Sequence, residues 1–257
     1  MINYELQDIV VYILVFLRMA GMLFMNPILS RKNIPAKFRI ALVLCLTILI
    51  APTLDTTLMK IDSDIILIAA MFYELIIGIL FNYVSQVFYF MLFFAGDILD
   101  FQFGLSMAKV FDPGTNIQMS VSGNILNILF VLYFFVTNCH LQLIRIMASS
   151  FNLLPVGAMH ISSNVAGFGI DLFVSVFSLI IKLVLPFVAM EFVVEISMGI
   201  LMKLIPQIHV FVINIQFKLL LAFSLLLIFA QPMSEYIDKY ISALFQSLEK
   251  ILIVMSG

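Results

Sequence analysis

The chain has little charge for its length, and the two signs nearly balance. Only 11% of its 257 residues are charged, and 13 basic residues against 15 acidic ones give a formal net charge of −2. Without a basic excess, the sequence offers no electrostatic surface for nucleic acid. The low charge accompanies 63% hydrophobic residues and a mean hydropathy of +1.18. This composition is typical of a membrane protein and not of a soluble one.

Cysteine and histidine are also scarce, and neither has the spacing of a ligand site. Cys45 and Cys139 both lie in apolar runs, so we expect two small buried side chains and no disulfide. The histidines, His140, His160 and His209, are scattered and form no zinc motif. The sequence also lacks a nucleophile elbow, a phosphate loop and a dinucleotide fingerprint. It therefore predicts no metal, no cofactor and no enzyme activity.

Apolar segments dominate the chain, and several are short or interrupted for a helix that crosses lipid, which needs roughly 20 residues. The N-terminus has two acids and no base before its first apolar run, so we expect it to remain as a membrane segment and not to be a cleaved signal. Pro186 is predicted to break one long segment in two. The six predicted segments are Ile9–Phe24, Ile40–Leu54, Ile65–Ala95, Val121–Cys139, Val165–Leu204 and Leu219–Gln231.

The last stretch, Ser234–Val254, has a different pattern. Apolar side chains recur at helical intervals with charges between them, which predicts an amphipathic helix. Its longest uncharged part is too short to cross a hydrocarbon core of about 30 Å. We expect this helix to lie on a partner protein or at the membrane interface.

The distribution of basic residues predicts the orientation of the first loop. Residues 30–39 hold four basic side chains, Arg31, Lys32, Lys37 and Arg39. The next loop, residues 55–64, has three aspartates against one lysine. The positive-inside rule then places the first loop in the cytoplasm and the N-terminus outside.

Carboxylates inside the apolar segments have two interpretations. Glu191 and Glu195 lie four residues apart and share a helix face, with Lys182 earlier in the same segment. They could form a proton or cation relay, since buried carboxylates are often functional. A structural pair is the favoured interpretation, because no second acidic helix has complementary spacing. Glu74 with Gly78 predicts a helix–helix contact in preference to a ligand site.

A polar segment, residues 96–118, interrupts the apolar pattern. Its sequence, GDILDFQFGLSMAKVFDPGTNIQ, holds three aspartates, one lysine, three glycines and a proline between stretches without formal charge. Lipid cannot satisfy the polar backbone of such a segment, so it needs protein or water around it. An ordinary loop between helices is one interpretation. The interspersed phenylalanines and methionines favour another, a segment buried in a protein interior that water reaches.

The order of motifs along nearly the whole chain resembles the FliR family of flagellar export proteins, called SctT in virulence type III secretion. The matches begin with Arg18, Gly21, NPILSRKNIPAKFRIAL and Ala51-Pro52. They continue with ELIIG at 74–78, AGDILDFQFGLSMAKVFDPGTNIQ at 95–118 and KLIPQIHVFVINIQFKLL at 203–220. The stretches GLSMAKVFDPG and PQIHVF are the most specific of these.

The resemblance implies a fold and a set of partners. It implies an all-α, multi-helix integral membrane protein, a single domain over residues 1–257, with hairpin-like, broken helices packed in a helical pore-forming hetero-oligomer. The implied function is that of a non-enzymatic subunit of the type III protein export gate, in the bacterial inner membrane at the flagellar basal body. The implied partners are FliP-like and FliQ-like subunits, an FlhB-like protein and unfolded export substrates.

The resemblance also implies where the functional residues lie. Residues 104–119 are similar to a plug loop that enters the pore, with the expected plug residues Gly104, Met107, Lys109, Phe111, Asp112, Pro113, Gly114 and Met119. Glycine and proline would supply bends and methionine a deformable seal, and Asp112 is expected to be extended because proline follows it. We expect Asp97, Asp100 and Asp112 to hold the segment by hydrogen bonds. The other expected structural or partner-contact residues are Arg18, Arg39, Glu74, Gln102, Glu191, Glu195, Pro206, Gln207 and Lys218.

A secondary transporter for an ion or small solute is the alternative function, with Glu74, Glu191 and Glu195 along its pathway. Transporters of this kind often have two related halves with matching helix breaks. The break expected at Pro186 has no counterpart in the first half, and no internal repeat is convincing. The sequence therefore favours the export gate.

Overall fold

The computed structural model describes residues 2–29, 34–54, 63–106, 110–112, 117–157, 159, 161–205 and 210–257. These residues form eight α-helices: α1 (Ile2–Phe24), α2 (Ala36–Ile50), α3 (Asp64–Phe103), α4 (Val121–Val136), α5 (Cys139–Leu153), α6 (Val165–Leu204), α7 (Val210–Ile228) and α8 (Ala230–Ser256). A short 3-10 helix, Ala51–Thr53, follows α2. Two three-residue strands, β1 (Val110–Asp112) and β2 (Ile117–Met119), pair between α3 and α4.

Several of these helices can cross a membrane by length and composition. Among the described residues, three meet both criteria: Ala36–Thr53, α3 and α6. The number rises to five if α4 with α5, bent by 72°, and Gln216–Ile228 with α8, bent by 65°, each count as one broken span. The prediction of an all-α, multi-helix membrane protein is confirmed. Broken spans are the form expected where neighbouring protein satisfies the backbone at the bend.

The chain divides into two compact units. The first comprises Met1–Val87, Phe135–Phe173 and Ala243–Gly257. Its interior contains the side chains of Leu14, Met19 and Met147, all fully buried. The Cα of Gly21 lies so near Gly78 that a methyl group added at position 21 would come within 3.0 Å of the Gly78 Cα. The small residues therefore let α1 and α3 pack backbone to backbone.

The second unit comprises Phe88–Phe134 and Val174–Ser242. Its core is rich in aromatic rings. Tyr240 packs edge-on against Phe88, with ring centroids 5.0 Å apart, and its hydroxyl donates to the Phe88 carbonyl at 2.7 Å. Phe187 contacts Phe103 and Phe229, with centroids 6.3 Å and 5.2 Å away. Buried tyrosines of this kind need a partner for the hydroxyl, and a helix carbonyl supplies it here.

The predicted break at Pro186 is wrong. Helix α6 runs unbroken for 40 residues with Pro186 inside it. Proline removes one backbone donor and normally bends a helix. Helices in apolar surroundings tolerate this loss because neighbouring groups and local adjustments re-satisfy the backbone. The proline therefore marks a position within the helix and not its end.

Helix α3 is longer than the sequence predicted, and it includes the first part of the polar segment. It continues through Gly96, Asp97 and Asp100 to Phe103. Ala95, Leu99 and Phe103 are fully buried at intervals of four residues. This apolar stripe keeps one face packed while Asp97 is exposed, so the acidic residues do not end the helix.

Helix α5 and the environment of Cys45 were also missed by the sequence. Helix α5 buries an amphipathic face that includes Leu143, Ile146 and Met147, and it is less apolar than a membrane span. Cys45 is exposed, in contrast to the expected burial, because the buried stripe of α2 runs through Val43, Leu46, Thr47 and Ile50. Cys139 is buried, as predicted.

Helix α8 has the amphipathic pattern that the sequence predicted. In each of the two units, its buried positions recur at three- and four-residue intervals. The buried residues are Met233, Ile237, Tyr240, Ile241, Leu244, Phe245, Leu248, Ile251, Leu252 and Met255. In both stretches of α8 this spacing gives one apolar face, as an amphipathic helix requires.

Candidate functional site

The candidate site begins where α3 ends. Gly104 follows the last helical residue with φ of +74°, a left-handed conformation that glycine adopts without steric cost. The Leu105 amide donates to the Asp100 carbonyl at 2.8 Å, and the Gly104 amide donates to the Phe101 carbonyl at 3.4 Å. These two bonds form a Schellman motif, which satisfies the last carbonyls of a helix. The chain therefore leaves α3 at a defined angle.

The carboxylate of the same Asp100 holds the start of α4. Its Oδ2 accepts a hydrogen bond from the Val121 amide at 2.6 Å, and its Oδ1 accepts one from the Ser122 amide at 3.0 Å. Asp100 is buried, with 2% of its surface exposed. A carboxylate at a helix N-terminus satisfies unpaired amides and interacts favourably with the helix dipole. One residue thus closes the end of α3 and begins α4.

Ser120 completes this junction as the N-cap of α4. Its Oγ accepts a hydrogen bond from the Gly123 amide at 3.2 Å. Together with Asp100, it provides partners for the first three amides of the helix, and the Asn124 amide donates to the Ser120 carbonyl at 3.0 Å. The start of α4 is therefore satisfied inside the protein, as a helix end away from water requires.

A close contact of two glycines fixes the distance between α3 and α4 at the same place. A methyl group added at Gly96 would lie 2.1 Å from the Gly123 Cα and 2.9 Å from the Ser120 Oγ. No side chain fits at such a separation, and the atoms it would meet first belong to the backbone. We call the group of Gly96, Asp100, Ser120 and Gly123 the root, because it joins the two helices at the base of the segment between them.

A β-hairpin grows from the root. Strands β1 and β2 are antiparallel, with Val110 opposite Met119, Phe111 opposite Gln118 and Asp112 opposite Ile117. Asp112 is extended, as the proline after it predicts. The hairpin and its root belong to one of the two compact units, so the root's hydrogen bonds and the hairpin's pairing are parts of one structure.

The expected plug residues are only partly described. Gly104 lies at the end of α3 and is exposed, while Phe111, Asp112 and Met119 lie in the two strands. Met107, Lys109, Pro113 and Gly114 lie outside the described residues, as do Pro206 and Gln207. Of the three aspartates expected to hold the segment, Asp100 makes backbone hydrogen bonds and Asp97 is exposed on α3. Gln102 is half-buried on α3, and Arg39 is half-buried near the start of α2.

A buried ion pair organises the other compact unit. Arg18 of α1 donates from Nε to Glu74 Oε2 at 2.5 Å and from Nη2 to Oε1 at 3.0 Å. Its Nη1 donates to the carbonyls of Ser150 and Leu154 at the end of α5, at 3.2 Å and 2.8 Å. Glu74 Oε1 also accepts from the Gly157 amide at 2.9 Å. Arg18 is fully buried, so the protein supplies the hydrogen-bond partners that water would otherwise provide. The bidentate ion pair and the two carbonyl contacts thereby link α1, α3 and α5.

The two glutamates of α6 have different environments. Glu195 is exposed, and its Oε1 lies 3.5 Å from Lys218 Nζ of α7. Glu191 is fully buried, and among the described residues neither of its carboxylate oxygens has a hydrogen-bond partner. Lys182, which the sequence placed with this pair, is exposed on α6. The expected shared face therefore separates into a buried acid and a surface ion pair.

A protein family matches most of the chain. The family described as Bacterial export proteins, family 1, matches residues 9–244. The chain belongs to this family. It is 28% identical over 236 residues to the flagellar biosynthetic protein FliR of Escherichia coli (strain K12), covering 92% of this chain and 90% of that protein. It is 25% identical over 245 residues to FliR of Bacillus subtilis (strain 168), covering 94% of each.

The virulence branch is matched as well. The Yop proteins translocation protein T of Yersinia pestis is 27% identical over 168 residues, which cover 65% of this chain and 64% of that protein. The resemblance to FliR and SctT is therefore confirmed. The root and its hairpin lie in residues 96–123, inside the region that the export protein family matches.

Some residues of the candidate site were missed from the sequence of this export protein. Ser120 and Gly123 were not singled out, although the pattern of a serine followed by an apolar run is a helix-start signal. The partners of Arg18 on α5 were not foreseen either, because the contacts are to backbone carbonyls, which no residue type marks. Gly21 beside Arg18 and Gly78 beside Glu74 were the visible hint, since small residues at matched spacing allow two helices to approach.

Proposed function

We propose that this chain is a subunit of the bacterial type III protein export gate, and that residues 104–119 close its pore. The observation that carries the proposal is the rooted hairpin. A short β-hairpin between α3 and α4, held at its base by Asp100, lies in a member of an export protein family. A closure needs a base that stays fixed and a tip that can move. In this proposal the root, held by the Asp100 hydrogen bonds, is the fixed base, and residues 104–119 are the part that moves when a substrate passes.

The composition of residues 104–119 suits a seal that yields to many sequences. Methionine is flexible and polarisable, so Met107 and Met119 can conform to whatever passes. Phe111 adds apolar bulk to exclude ions in the closed state. An exported chain passes unfolded and must not be bound tightly, so a deformable apolar seal serves better than a pocket with fixed polar contacts.

The proposal includes assembly with FliP-like and FliQ-like subunits and an FlhB-like protein in the inner membrane. Large apolar side chains are exposed on the helices of the second unit, for example Phe192 at 60%, Leu220 at 66% and Leu227 at 79%. Apolar faces of this size are covered by lipid or by partner helices. In this proposal the whole chain acts as one membrane domain whose bent helices pack into a pore-forming hetero-oligomer.

The transporter alternative is less well supported. It requires Glu74, Glu191 and Glu195 to line a pathway. Glu74 is bound by Arg18 and the Gly157 amide, and Glu195 lies beside Lys218. Two of the three carboxylates are therefore engaged within the protein.

Deletion of residues 109–118 tests the proposed closure. We expect the deleted protein to assemble with its partners and to leak small ions, because the root remains while the seal is lost. Phe111→Ala should leak less severely. The measurement is the ion conductance of cells that carry each variant, with assembly shown by co-purification. A matched control replaces residues 109–118 by glycine and serine at equal length, which restores the chain but not the apolar seal. An assembled deletion complex with wild-type conductance would show that the segment is a connecting loop.

A further inference from the structure

An apolar groove lies on the first compact unit and is lined by residues of α1, α2 and α3. It has a volume of about 750 Å³. Its walls include Ile13 and Leu17 of α1, Leu44 and Ile48 of α2 and Phe72 of α3. The volume is within the roughly 300–1,000 Å³ of small-molecule sites. The groove is part of neither the root nor the hairpin.

The lining of the groove includes one buried polar residue. Thr47 lines the groove although only 3% of that residue is exposed. The Thr47 hydroxyl donates to the Val43 carbonyl at 2.8 Å, so it presents no free donor to a ligand. The walls, in contrast, are open, with Ile48 61% exposed and Phe72 62% exposed. An alkyl chain is apolar throughout, so a lining without a free donor suits it.

A positive charge lies on the same face of α2, beyond the end of the groove. Lys37 is exposed and precedes Leu44 by seven residues and Ile48 by eleven. These intervals are close to two and three helical turns, so the three side chains share one helix face. At 1.5 Å per residue, Lys37 lies roughly 10 Å and 16 Å along the helix from the two apolar residues. This is the order of length of a lipid chain below its headgroup.

We propose that this groove binds one acyl chain of an anionic phospholipid, whose phosphate contacts Lys37. The apolar lining matches the chain, and the lysine matches the charge of the headgroup. Basic residues around the first loop are predicted to face the cytoplasm, where basic sites between membrane helices recruit anionic lipid. The inference is independent of the proposed closure, because the groove is formed by α1 to α3 and its lining includes no residue of the root or hairpin.

Native mass spectrometry tests the proposal. The full chain is purified together with the FliP-like and FliQ-like proteins of the same genome. The probes are palmitoyl-oleoyl phosphatidylglycerol and the zwitterionic phosphatidylcholine with the same chains. We expect the wild-type complex to retain phosphatidylglycerol at least fivefold more strongly than phosphatidylcholine. Lys37→Gln should abolish this preference, and Lys37→Arg should keep it. Leu44→Trp should fill the groove and weaken binding of both lipids at least fivefold.

Two matched controls separate the groove from general effects. Leu49 lies on α2, is 63% exposed and does not line the groove, so Leu49→Trp should leave lipid binding unchanged. Lys239→Gln removes an exposed lysine of α8 that does not line the groove and should keep the preference. Equal retention of the two lipids by the wild-type complex, or an unchanged preference in Lys37→Gln, would overturn the proposal. So would a photocrosslinker at Ile48 that captures a partner subunit and no lipid.

Discussion

At the scale of single residues, Asp100 caps two helices. Its backbone carbonyl ends α3, and its carboxylate begins α4 twenty-one residues later. Each of these contacts satisfies backbone groups that would otherwise be unpaired in an apolar environment. The side chain is thus held by what the backbone around it needs, and the position of the hairpin depends on it.

Replacing Asp100 tests this dependence. Asp100→Ala leaves the amides of Val121 and Ser122 without partners, and each unsatisfied buried group costs about 1–3 kcal/mol. We expect a lower melting temperature of the purified complex and a measurable ion leak. Asp100→Asn keeps one amide oxygen as an acceptor and should show a smaller effect. Asp97→Asn, on the exposed side of α3, is the control and should behave as wild type. A wild-type melting temperature for Asp100→Ala would mean that the root is held by other contacts.

Gly104 gives a second prediction at this scale. A side chain at this position meets nothing within 4 Å, so any penalty comes from the left-handed backbone and not from a clash. Such a conformation costs non-glycine residues roughly 1–2 kcal/mol, and most for β-branched ones. Gly104→Val should therefore stiffen or displace the exit from α3 and reduce secretion without ion leakage. Gly104→Asn, which tolerates this conformation, should secrete at nearly the wild-type level. Secretion assays with conductance controls measure both, and equal secretion by the two variants would exclude the backbone explanation.

At the scale of elements, glycine pairs allow close contact at two helix crossings in the described part of the chain. Gly96 and Gly123 bring α3 and α4 together at the root, and Gly21 and Gly78 do the same for α1 and α3. Between membrane helices, close packing of backbones replaces much of the hydrophobic driving force that water provides to soluble bundles. Each of these two crossings therefore depends on glycine, because a side chain there would keep the two backbones apart.

Gly96→Ala tests the crossing at the root. Its new methyl group would overlap the Gly123 backbone at 2.1 Å, so the helices must separate. We expect loss of the Asp100 caps and a less stable complex. Gly199→Ala is the matched control, because a methyl group there meets nothing within 4 Å in a helix of the same protein. It should be neutral, or stabilising by up to about 1 kcal/mol. Thermal unfolding of the two purified variants gives the comparison, and equal melting temperatures would contradict the close-contact argument.

At the scale of the whole molecule, the isolated chain leaves apolar surface uncovered and buries unusual polar groups. The Arg18–Glu74 ion pair is buried. Removing one partner of such a pair costs about 3–5 kcal/mol, because the other charge is left buried and unpaired. The exposed apolar side chains need lipid or other subunits. The stability of this protein therefore depends on what covers its apolar surface.

Expression without partners tests this dependence. We expect the chain alone, extracted in detergent, to aggregate or be degraded, because under the proposed assembly its subunit-contacting faces would meet detergent. Co-expression with FliP-like and FliQ-like proteins of the same genome should increase the recovered amount several-fold. Size-exclusion chromatography of both preparations measures this. A monodisperse lone monomer would argue against assembly-dependent folding and against the proposed gate.

The sequence by itself determined the class of the protein and its family. An apolar composition with few charges is typical of a membrane protein, and motifs in a shared order identified the FliR resemblance that the family match confirms. It also predicted most helices and the extended conformation of Asp112, because periodicity and the proline effect act over one or two turns. It was wrong about Pro186 and about Gly96–Phe103, where packing of the surrounding helix outweighed local breaking signals.

Only the tertiary structure decided which distant groups meet. Glu74 pairs with Arg18 across 56 positions, and Asp100 caps a helix 21 positions away. Helix α5 was also recognised only in the structure. Its amphipathic face packs against the apolar interior of its unit, and a carbonyl at its end accepts a hydrogen bond from Arg18. Local patterns report the conformation of a short stretch of chain. Contacts between helices depend on where their backbones can approach, and in this protein glycines and buried charges at separate places in the sequence decide that.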